Sequence, residues 1–455
     1  MLNRISLRSG ARRAAFAAAA LLLTACSVDK ILRVPDPDVS RPTDVTGAAS
    51  LPTLLAAAVG DFQVAFAGTG GLTGLEGLVN MTGLFTDEFS FTETFPTRVQ
   101  VDRRAIDRNN SSMLAIYFVT QRARQSTFRA ESAYAKLAPT DSLYAEALSL
   151  EGYSFIMLAE TYCSGVPITR VDGSGKVIPG QPLTTQQLLD SAINRFTTAI
   201  TVANASGSSF LENLARVGQA RALMFQNNSN LAAAAALVAP VPANFAYRVF
   251  SSSNTDRQNN GVFELQWLEG RWTQADREGT NGLPFRSAND QRTPFQDLGL
   301  GFDQQRRVFG TLKYPSRDAS TVLASYTEAQ LIQAEAALAS NYAGAGGTLE
   351  ILNALRAANG IAALTPAATP AAQVAQLFSE RAFWLYLTEH RLGDLRRLSR
   401  STANGGYGLN SESVFPTGTY TGRGGGVYGP DVNFPIPIEE ANANPNAPAC
   451  LDRNP

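Results

Sequence analysis

Apolar residues recur at helical spacing through most of the chain from residue 51 onwards. In the first such stretch they fall at Leu54, Leu55, Val59, Phe62 and Phe66, which share one face of a 3.6-residue period. The same period predicts helices over residues 113–137, 142–162, 184–200, 211–226, 229–238, 326–340, 348–358 and 369–399. The sequence therefore predicts a mainly α fold.

Local signals mark where two of these helices begin. Pro139 is followed by Thr140 and Asp141, either of which can cap the next helix, and Thr184 with Gln187 has the spacing of a capping box. Small residues near residues 215–236 would let helix backbones approach closely. We therefore expect a tetratricopeptide-like paired-helix (α/α superhelix) scaffold, although the repeat period is irregular.

Helical periodicity is weak in two later stretches. Between about residues 240 and 320, aromatic side chains accumulate among Gly, Asn, Arg and Gln, which indicates a loop-rich insertion or a small subdomain. Residues 400–435 are rich in glycine and are expected to form a second loop-rich insertion. Strand candidates are few, and the best of them is residues 262–267.

The first 25 residues have the pattern of a lipoprotein signal peptide. Basic residues precede an apolar stretch at 14–23, which is shorter than the roughly 20 residues that span a bilayer. Small residues then precede Cys26, as a lipoprotein peptidase requires. We expect cleavage before Cys26 and lipidation of its thiol, followed by an extended tether to residue 50; ordinary secretory cleavage and a buried N-terminal helix are the alternatives.

Charge and cysteine content narrow the function classes. Removal of the signal peptide takes four arginines with it and moves the formal charge from −1 to −5, which argues against nucleic acid as a partner. Cys163 and Cys450 then remain as an even pair in an exported protein, which predicts a disulfide, with two buried free thiols as the alternative. His390 is the only histidine, so we expect no metal and no other cofactor.

Four segments, in this order, resemble the SusD/RagB family of outer-membrane nutrient-binding lipoproteins. Residues 145–168 (AEALSLEGYSFIMLAETYCSGVPI) resemble the family's AEAxxLRAxxYxxLxxxYGxVPL helix, and residues 326–338 (YTEAQLIQAEAAL) its LxxAEA helix. Residues 352–397 resemble LNxVRxRAGL followed by ERRxELxxEGxRWxDLRR, and residues 434–446 (FPIPIEEANANPN) resemble PIPxxExxxNPN. The chain departs from these patterns at Glu151, where a basic residue is usual, and at Leu392, where an aromatic is common; the 240–320 insertion matches no family segment.

The resemblance implies a fold and a role. Such proteins are helical tetratricopeptide-like scaffolds that carry a loop-rich ligand-binding face and catalyse no reaction. They are anchored in the outer membrane, and we expect them to lie on the cell surface. There they cover a SusC-like TonB-dependent transporter and capture oligosaccharides, or in some members peptides, for import.

Aromatic residues beside an arginine are the first candidates for ligand contact. Sugar rings stack their C–H faces on aromatic side chains while charged and amide groups bind the hydroxyls. Trp267 and Trp272 flank Arg271, and Gly270 favours a turn between the indoles. Burial of both indoles in the core is the competing interpretation.

A second candidate patch precedes this one in the chain. Phe89, Phe91 and Phe95 alternate with polar residues in the stretch FTDEFSFTETF. By analogy with the family, loops after the first helices help to form the ligand face. The same alternation also fits a short half-buried strand.

Charged residues between positions 380 and 397 resemble a catalytic cluster at first sight. An apolar run at 382–387 interrupts them, which favours salt-bridged packing of a long helix over catalysis. Two rivals to nutrient binding remain open. A glycan hydrolase or lyase would release new reducing ends from polysaccharides, whereas an envelope scaffold with only protein partners would carry a hydrophobic groove instead of a polar aromatic one.

Overall fold

A computed structural model describes residues 47–71, 74–172, 175–447, 450 and 452–454 of the chain. The predicted signal peptide, the lipidation site Cys26 and all but the end of the tether lie outside these residues. Everything below concerns the described part.

Helices account for most of the regular structure, which confirms the mainly α prediction. Their bounds are α1 Leu51–Ala67, α2 Leu78–Phe85, α3 Pro96–Asp102, α4 Ser111–Leu137, α5 Ser142–Thr161, α6 Thr185–Ala205, α7 Ser209–Gln226, α8 Leu231–Val238, α9 Gly261–Phe263, α10 Tyr326–Ala337, α11 Thr348–Ala358, α12 Pro370–Trp384, α13 Arg391–Ser399, α14 Ser411–Val414 and α15 Ile438–Ala443. The long helices from α4 to α11 pack on one another in chain order, apart from α9, and form the paired-helix scaffold.

Ten short strands form five separate two-stranded antiparallel ladders among the described residues. The pairs are β1–β7, β2–β5, β3–β4, β6–β10 and β8–β9. Their bounds are β1 Phe89–Phe91, β2 Val166–Pro167, β3 Arg170–Val171, β4 Val177–Ile178, β5 Pro182–Leu183, β6 Ala246–Val249, β7 Trp272–Gln274, β8 Phe295–Leu300, β9 Arg307–Thr311 and β10 Thr321–Ser325. The 240–320 insertion thus contains four of these strands.

The predicted caps begin the helices as expected. The Asp141 carboxylate accepts the Leu143 N–H at the start of α5, and Thr184 and Gln187 form a complete capping box on α6. Two glycines let the neighbouring helices close on Phe196 of α6. A Cβ on Gly152 would lie 2.8 Å from the Phe196 ring and one on Gly218 2.4 Å from it, so α5 and α7 both depend on glycine at these positions.

The strand predicted at residues 262–267 is wrong. This stretch begins as α9 and continues as a π-helical turn, Glu264–Leu268. The Asn260 side chain explains the difference, because its oxygen accepts the N–H groups of Val262 and Phe263 and so caps a helix. Its amide donates to the Ala319 carbonyl at 2.8 Å, a tertiary contact that local periodicity does not contain.

The single helix predicted over residues 369–399 is also wrong. It is divided into α12 and α13 by a segment in which Leu387 and Glu389 have positive φ angles of 52° and 66°. Buried partners from elsewhere in the chain hold this break. The Leu387 N–H donates to Glu88 Oε1 at 2.8 Å, and the Tyr314 hydroxyl donates to the Leu387 carbonyl at 2.7 Å.

The charged cluster around this break is structural, as its packing interpretation predicted. Arg381 and Arg397 both bind the Asp394 carboxylate, at 2.8 and 3.0 Å, and Arg397 also binds Glu335 at 2.5 Å. Glu380 is held between Arg292 and Arg356. The Asp394 and Glu335 ion pairs join α10, α12 and α13, and the Glu380 pairs join α12 to α11 and to the 240–320 insertion.

Burial raises the pKa of Glu88 from 4.5 to about 8, since desolvation outweighs the Leu387 hydrogen bond. A folded-state pKa above the unfolded one means that the folded protein binds the extra proton. The resulting stability is complete below pH 4.5 and is lost as the pH rises towards 8. We therefore expect Glu88→Gln, which keeps the acceptor for Leu387, to lose less stability than the wild type between pH 4.5 and 8. Urea unfolding at several pH values in that range measures the free energy of unfolding. An unchanged pH slope would contradict a neutral Glu88 in the fold.

A disulfide ties the C-terminal tail to the scaffold. Cys163, just after α5, is bonded to Cys450 with their Cα atoms 5.7 Å apart, which is the pairing that the sequence led us to expect. Next to it, the Ser164 N–H donates to the Asp452 carbonyl at 3.0 Å. Three residues of the C-terminal tail, Phe434, Cys450 and Asp452, therefore lie against the segment that follows α5.

Candidate ligand-binding face

Backbone hydrogen bonds tie three loops together on one side of the molecule. Pairing of β1 with β7 continues where the Thr92 N–H donates to the Arg271 carbonyl at 2.9 Å. The loop of the β8–β9 hairpin joins them, because the Phe302 N–H donates to the Gly270 carbonyl at 2.8 Å and the Asp303 N–H to the Thr92 carbonyl at 3.0 Å. Gly270 has a φ of 62°, so the expected turn is present. The loops therefore form one rigid surface.

Three side chains from these loops form what we call the aromatic platform: Phe95, Arg271 and Phe302. The Arg271 guanidinium lies 5.5 Å from the centre of the Phe95 ring and 4.4 Å from that of Phe302. Both phenyl side chains are 48% exposed, well above what an apolar ring shows in the core. A charged group thus lies between two rings that are half open to solvent.

Carboxylates beneath the platform fix the arginine. Glu93, whose side chain is fully buried, binds Arg271 with one oxygen and Arg98 with the other, the latter at 2.5 Å. Glu269 lies 2.5 Å from Arg271 Nε. Arg98 in turn binds Glu76 and lies 5.1 Å from the Phe95 ring centre. This network holds Arg271 in one orientation before any ligand arrives.

The platform has the chemistry of a site for flat, hydroxylated rings. Exposed phenyl faces accept the C–H faces of a sugar, and the 15% of the Arg271 side chain that stays exposed beside Glu93 and Glu269 can donate to its hydroxyl oxygens. Leu268 and Leu300, both more than half exposed, stand on the adjoining segments and extend the apolar surface. In the part of the chain that the structure describes, no three His, Cys, Asp or Glu residues are grouped as metal ligands.

Three of the candidates chosen from sequence lie elsewhere and are corrected here. Phe89, Phe91 and Trp272 are fully buried, with the Trp272 indole at 0% exposure and edge-on to Phe89 at 5.9 Å. Pairing of β1 with β7 places Phe91 opposite Trp272 within the core. They offer no face to a ligand, and the half-buried strand and buried indole interpretations hold for them.

Trp267 is intermediate in burial between the exposed and the buried candidates. Its indole is partly buried, stacks on Phe263 with ring centres 6.1 Å apart, and donates its N–H to the Thr311 carbonyl at 3.0 Å. The indole nitrogen is therefore used within the fold. Of the six ligand-contact candidates, Phe95 and Arg271 are the ones that the structure brings together on the surface.

Sequence reasoning missed Phe302. It lies in the turn of a hairpin within the stretch that was expected to be loop-rich. The signal was present, since two short β-forming runs at 295–300 and 307–311 flank the polar turn Asp303-Gln304-Gln305-Arg306. That hairpin brings Phe302 to Arg271.

The architecture of an α/α scaffold with a loop face is shared with solved structures. No protein-family model and no curated protein matches the sequence. A SusD superfamily protein from Parabacteroides distasonis is similar, with a TM-score of 0.65 at 13% identity over 89% of this chain and 98% of that one.

Two further structures carry ligand names. The surface glycan-binding protein A from Bacteroides uniformis matches with a TM-score of 0.59 at 15% identity, over 88% of this chain and 99% of that one. A laminarin-binding SusD-like protein matches with a TM-score of 0.60 at 14% identity, over 89% and 99%. The chain therefore has the SusD-like fold over nearly all its length, which confirms the expected architecture.

Proposed function

We propose that this protein is a non-catalytic surface lipoprotein that captures oligosaccharide on the aromatic platform and delivers it to a SusC-like TonB-dependent transporter. The observation that carries the ligand part is the fixed Arg271 between the half-exposed rings of Phe95 and Phe302. Two similar folds belong to proteins named for glycan and laminarin binding, which supports a glycan over a peptide.

The membrane and transporter parts have separate support. The basic start, short apolar stretch and small residues before Cys26 support a lipid anchor, and the order of four family-like segments supports the outer membrane and its transporter. Mass spectrometry of the purified mature protein tests the anchor: acyl groups on Cys26 are expected, and an unmodified N-terminus would contradict it. Affinity purification from native membranes tests the partner, and recovery of no TonB-dependent barrel would contradict delivery.

The enzyme alternative has a direct test. The buried carboxylates of Asp394, Glu335 and Glu380 are bound by arginines, which supports binding without hydrolysis. Incubation of the protein with polysaccharides is expected to release no new reducing ends. Their appearance in proportion to protein would favour a glycan-degrading enzyme.

Phe302→Ala is expected to weaken oligosaccharide binding about tenfold, because one of two stacking faces and its contact with Arg271 are removed. Isothermal titration against laminarin oligosaccharides, other glucans and peptides measures this. Phe118→Ala is the matched control, since Phe118 is a 62% exposed phenylalanine on α4 that is not one of the three platform residues. Equal affinity in both variants would remove Phe302 from the site.

A further inference from the structure

A polar cleft of about 400 Å³ lies where four segments meet. The start of α6, the residues after α7, the end of α13 and the C-terminal tail supply its walls, including Ser164, Gln186, Asn227, Arg396, Arg400 and Asn454. None of its lining residues belongs to the aromatic platform. The disulfide joins two of the walls, because Cys163 adjoins Ser164 and Cys450 lies in the tail two residues before Asp452.

Arg396 places a buried positive charge at this cleft. Its side chain is 1% exposed, and it forms no ion pair with a carboxylate among the described residues. Its Nη1 donates to the carbonyls of Ala159 and Glu160 at the end of α5, at 2.8 and 2.7 Å. Its Nε is buried with no hydrogen-bond partner within the same residues. A buried guanidinium donor without an acceptor is costly, and an added anion would satisfy it.

Arg400 adds a second charge beside the first. Both guanidiniums lie over the Phe225 ring, at 5.5 Å for Arg396 and 4.5 Å for Arg400. Burial and the neighbouring Arg400 charge lower the pKa of Arg396 to about 9. Arg400 Nη1 donates to the Phe225 carbonyl, so this side chain is held against the cleft wall at the end of α7.

The N-terminus of α6 also favours an anion in the cleft. Ser164 Oγ accepts the Thr185 N–H at 3.2 Å, and Thr184 Oγ1 accepts that of Gln187 at 3.2 Å. The N–H of Gln186, between them, has no hydrogen bond to any described residue. The positive end of a 21-residue helix therefore opens into the cleft.

Two carboxylates lie at the cleft, and the first, Asp190, accepts the side-chain N–H groups of Gln186 and Gln226 at 3.4 and 2.7 Å. Asp452 lines the cleft, but it is exposed and its Oδ1 accepts the Asn454 N–H at 2.8 Å. Glu160, which is also near Arg396, is held by Arg221 through Nε at 3.1 Å. The attraction for an anion therefore comes from the unpartnered Arg396 Nε and from the start of α6, and not from a net charge of the cleft.

We propose that this cleft is a binding site for a compact oxyanion, a sulfate, phosphate or carboxylate group, held by Arg396, Arg400 and the first turn of α6. The group is free in solution or carried on a sugar. Polar neighbours such as Ser164, Asn227 and Asn404 supply the further hydrogen bonds that such a group accepts. The site is separate from the aromatic platform, so it stands whether or not the platform binds glycan.

Isothermal titration of the mature protein with inorganic sulfate, inorganic phosphate, acetate, a monosaccharide 6-sulfate and its unsulfated parent, at constant ionic strength, tests the site. Saturable binding of at least one of the oxyanions is expected, and the heat from the parent sugar, which reports the aromatic platform, is subtracted from that of the sulfated sugar. If the sulfated sugar binds more tightly than free sulfate, the natural group is carried on a sugar. If both bind alike, the ligand is the free anion.

Gln186→Glu places a negative charge in the cleft without changing side-chain size, and it suits the first turn of a helix, so folding is preserved. It is expected to weaken oxyanion binding about tenfold or more. Gln296→Glu, the same change on exposed β8, is the control and should bind as the wild type does. Asn404→Asp, on the cleft wall, gives an independent second variant. No saturable binding of any oxyanion, or full affinity in both cleft variants, would overturn the proposal.

Discussion

Asp394→Ala is expected to lower the free energy of unfolding by about 3–5 kcal/mol, the largest effect of any single change considered. Asp394 is the carboxylate shared by two fully buried guanidiniums, those of Arg381 and Arg397. Its removal leaves Glu335 as the remaining acidic partner of both. An uncompensated charge in the core costs far more than the lost hydrogen bonds alone.

The same ion-pair network should make the stability of the protein fall at acid pH. Burial alone would raise the pKa of Asp394, but Arg381 and Arg397 outweigh it and hold that pKa well below its ordinary value of 3.8. The stability from this carboxylate is therefore present above pH 3.8 and is lost as the pH falls further. Urea unfolding of wild type and Asp394→Ala at neutral and acid pH measures both effects.

Asp297→Ala is the matched control, because Asp297 forms an exposed ion pair with Arg307 on the β8–β9 hairpin. Solvent screens exposed pairs of this kind, so this variant should remain close to the wild type. Equal losses in the two aspartate variants would mean that the buried network does not hold α10, α12 and α13 together.

Removal of the disulfide is expected to cost about 4 kcal/mol, because the bond closes a loop between residues 287 apart in sequence and so restricts the unfolded chain. Cys450→Ser breaks the bond at the partly buried end, which disturbs the core least. Thermal and urea unfolding with and without reductant measure the loss.

The double variant gives the sharper comparison. Cys163→Ser and Cys450→Ser remove the same bond, so the double variant should be no less stable than the less stable single variant. The reduced wild type should unfold near the Cys450→Ser variant. Additive losses, or a wild type unaffected by reductant, would contradict a stabilising disulfide.

Features that depend on residues close together in sequence, such as the starts of helices, were predicted correctly. Asp141 and the Thr184–Gln187 box begin their helices where the spacing indicated, because a cap acts within one helical turn. The two wrong predictions, a strand at 262–267 and a single helix at 369–399, concern segments whose conformation depends on partners distant in sequence. Glu88 stabilises the break near Leu387 from 299 positions away, and no periodicity in α12 or α13 contains that contact.

At the candidate site, too, local signals were predicted correctly and contacts between distant residues were not. Arg271 was identified from its aromatic neighbours, yet the rings that it contacts are Phe95 and Phe302 and not the adjacent indoles. Which ring is buried depends on strand pairing, and pairing of β1 with β7 turns Trp272 into the core. Composition indicated a loop-rich aromatic surface, but only the hairpin register determined its members.

Affinity electrophoresis of the mature protein through gels containing soluble polysaccharides tests glycan capture on the aromatic platform most directly. At least one polysaccharide should retard the wild type and Phe118→Ala, while Phe302→Ala and Arg271→Ala migrate nearly as they do without glycan. Equal retardation of all four proteins, or no retardation by any polysaccharide, would contradict such capture.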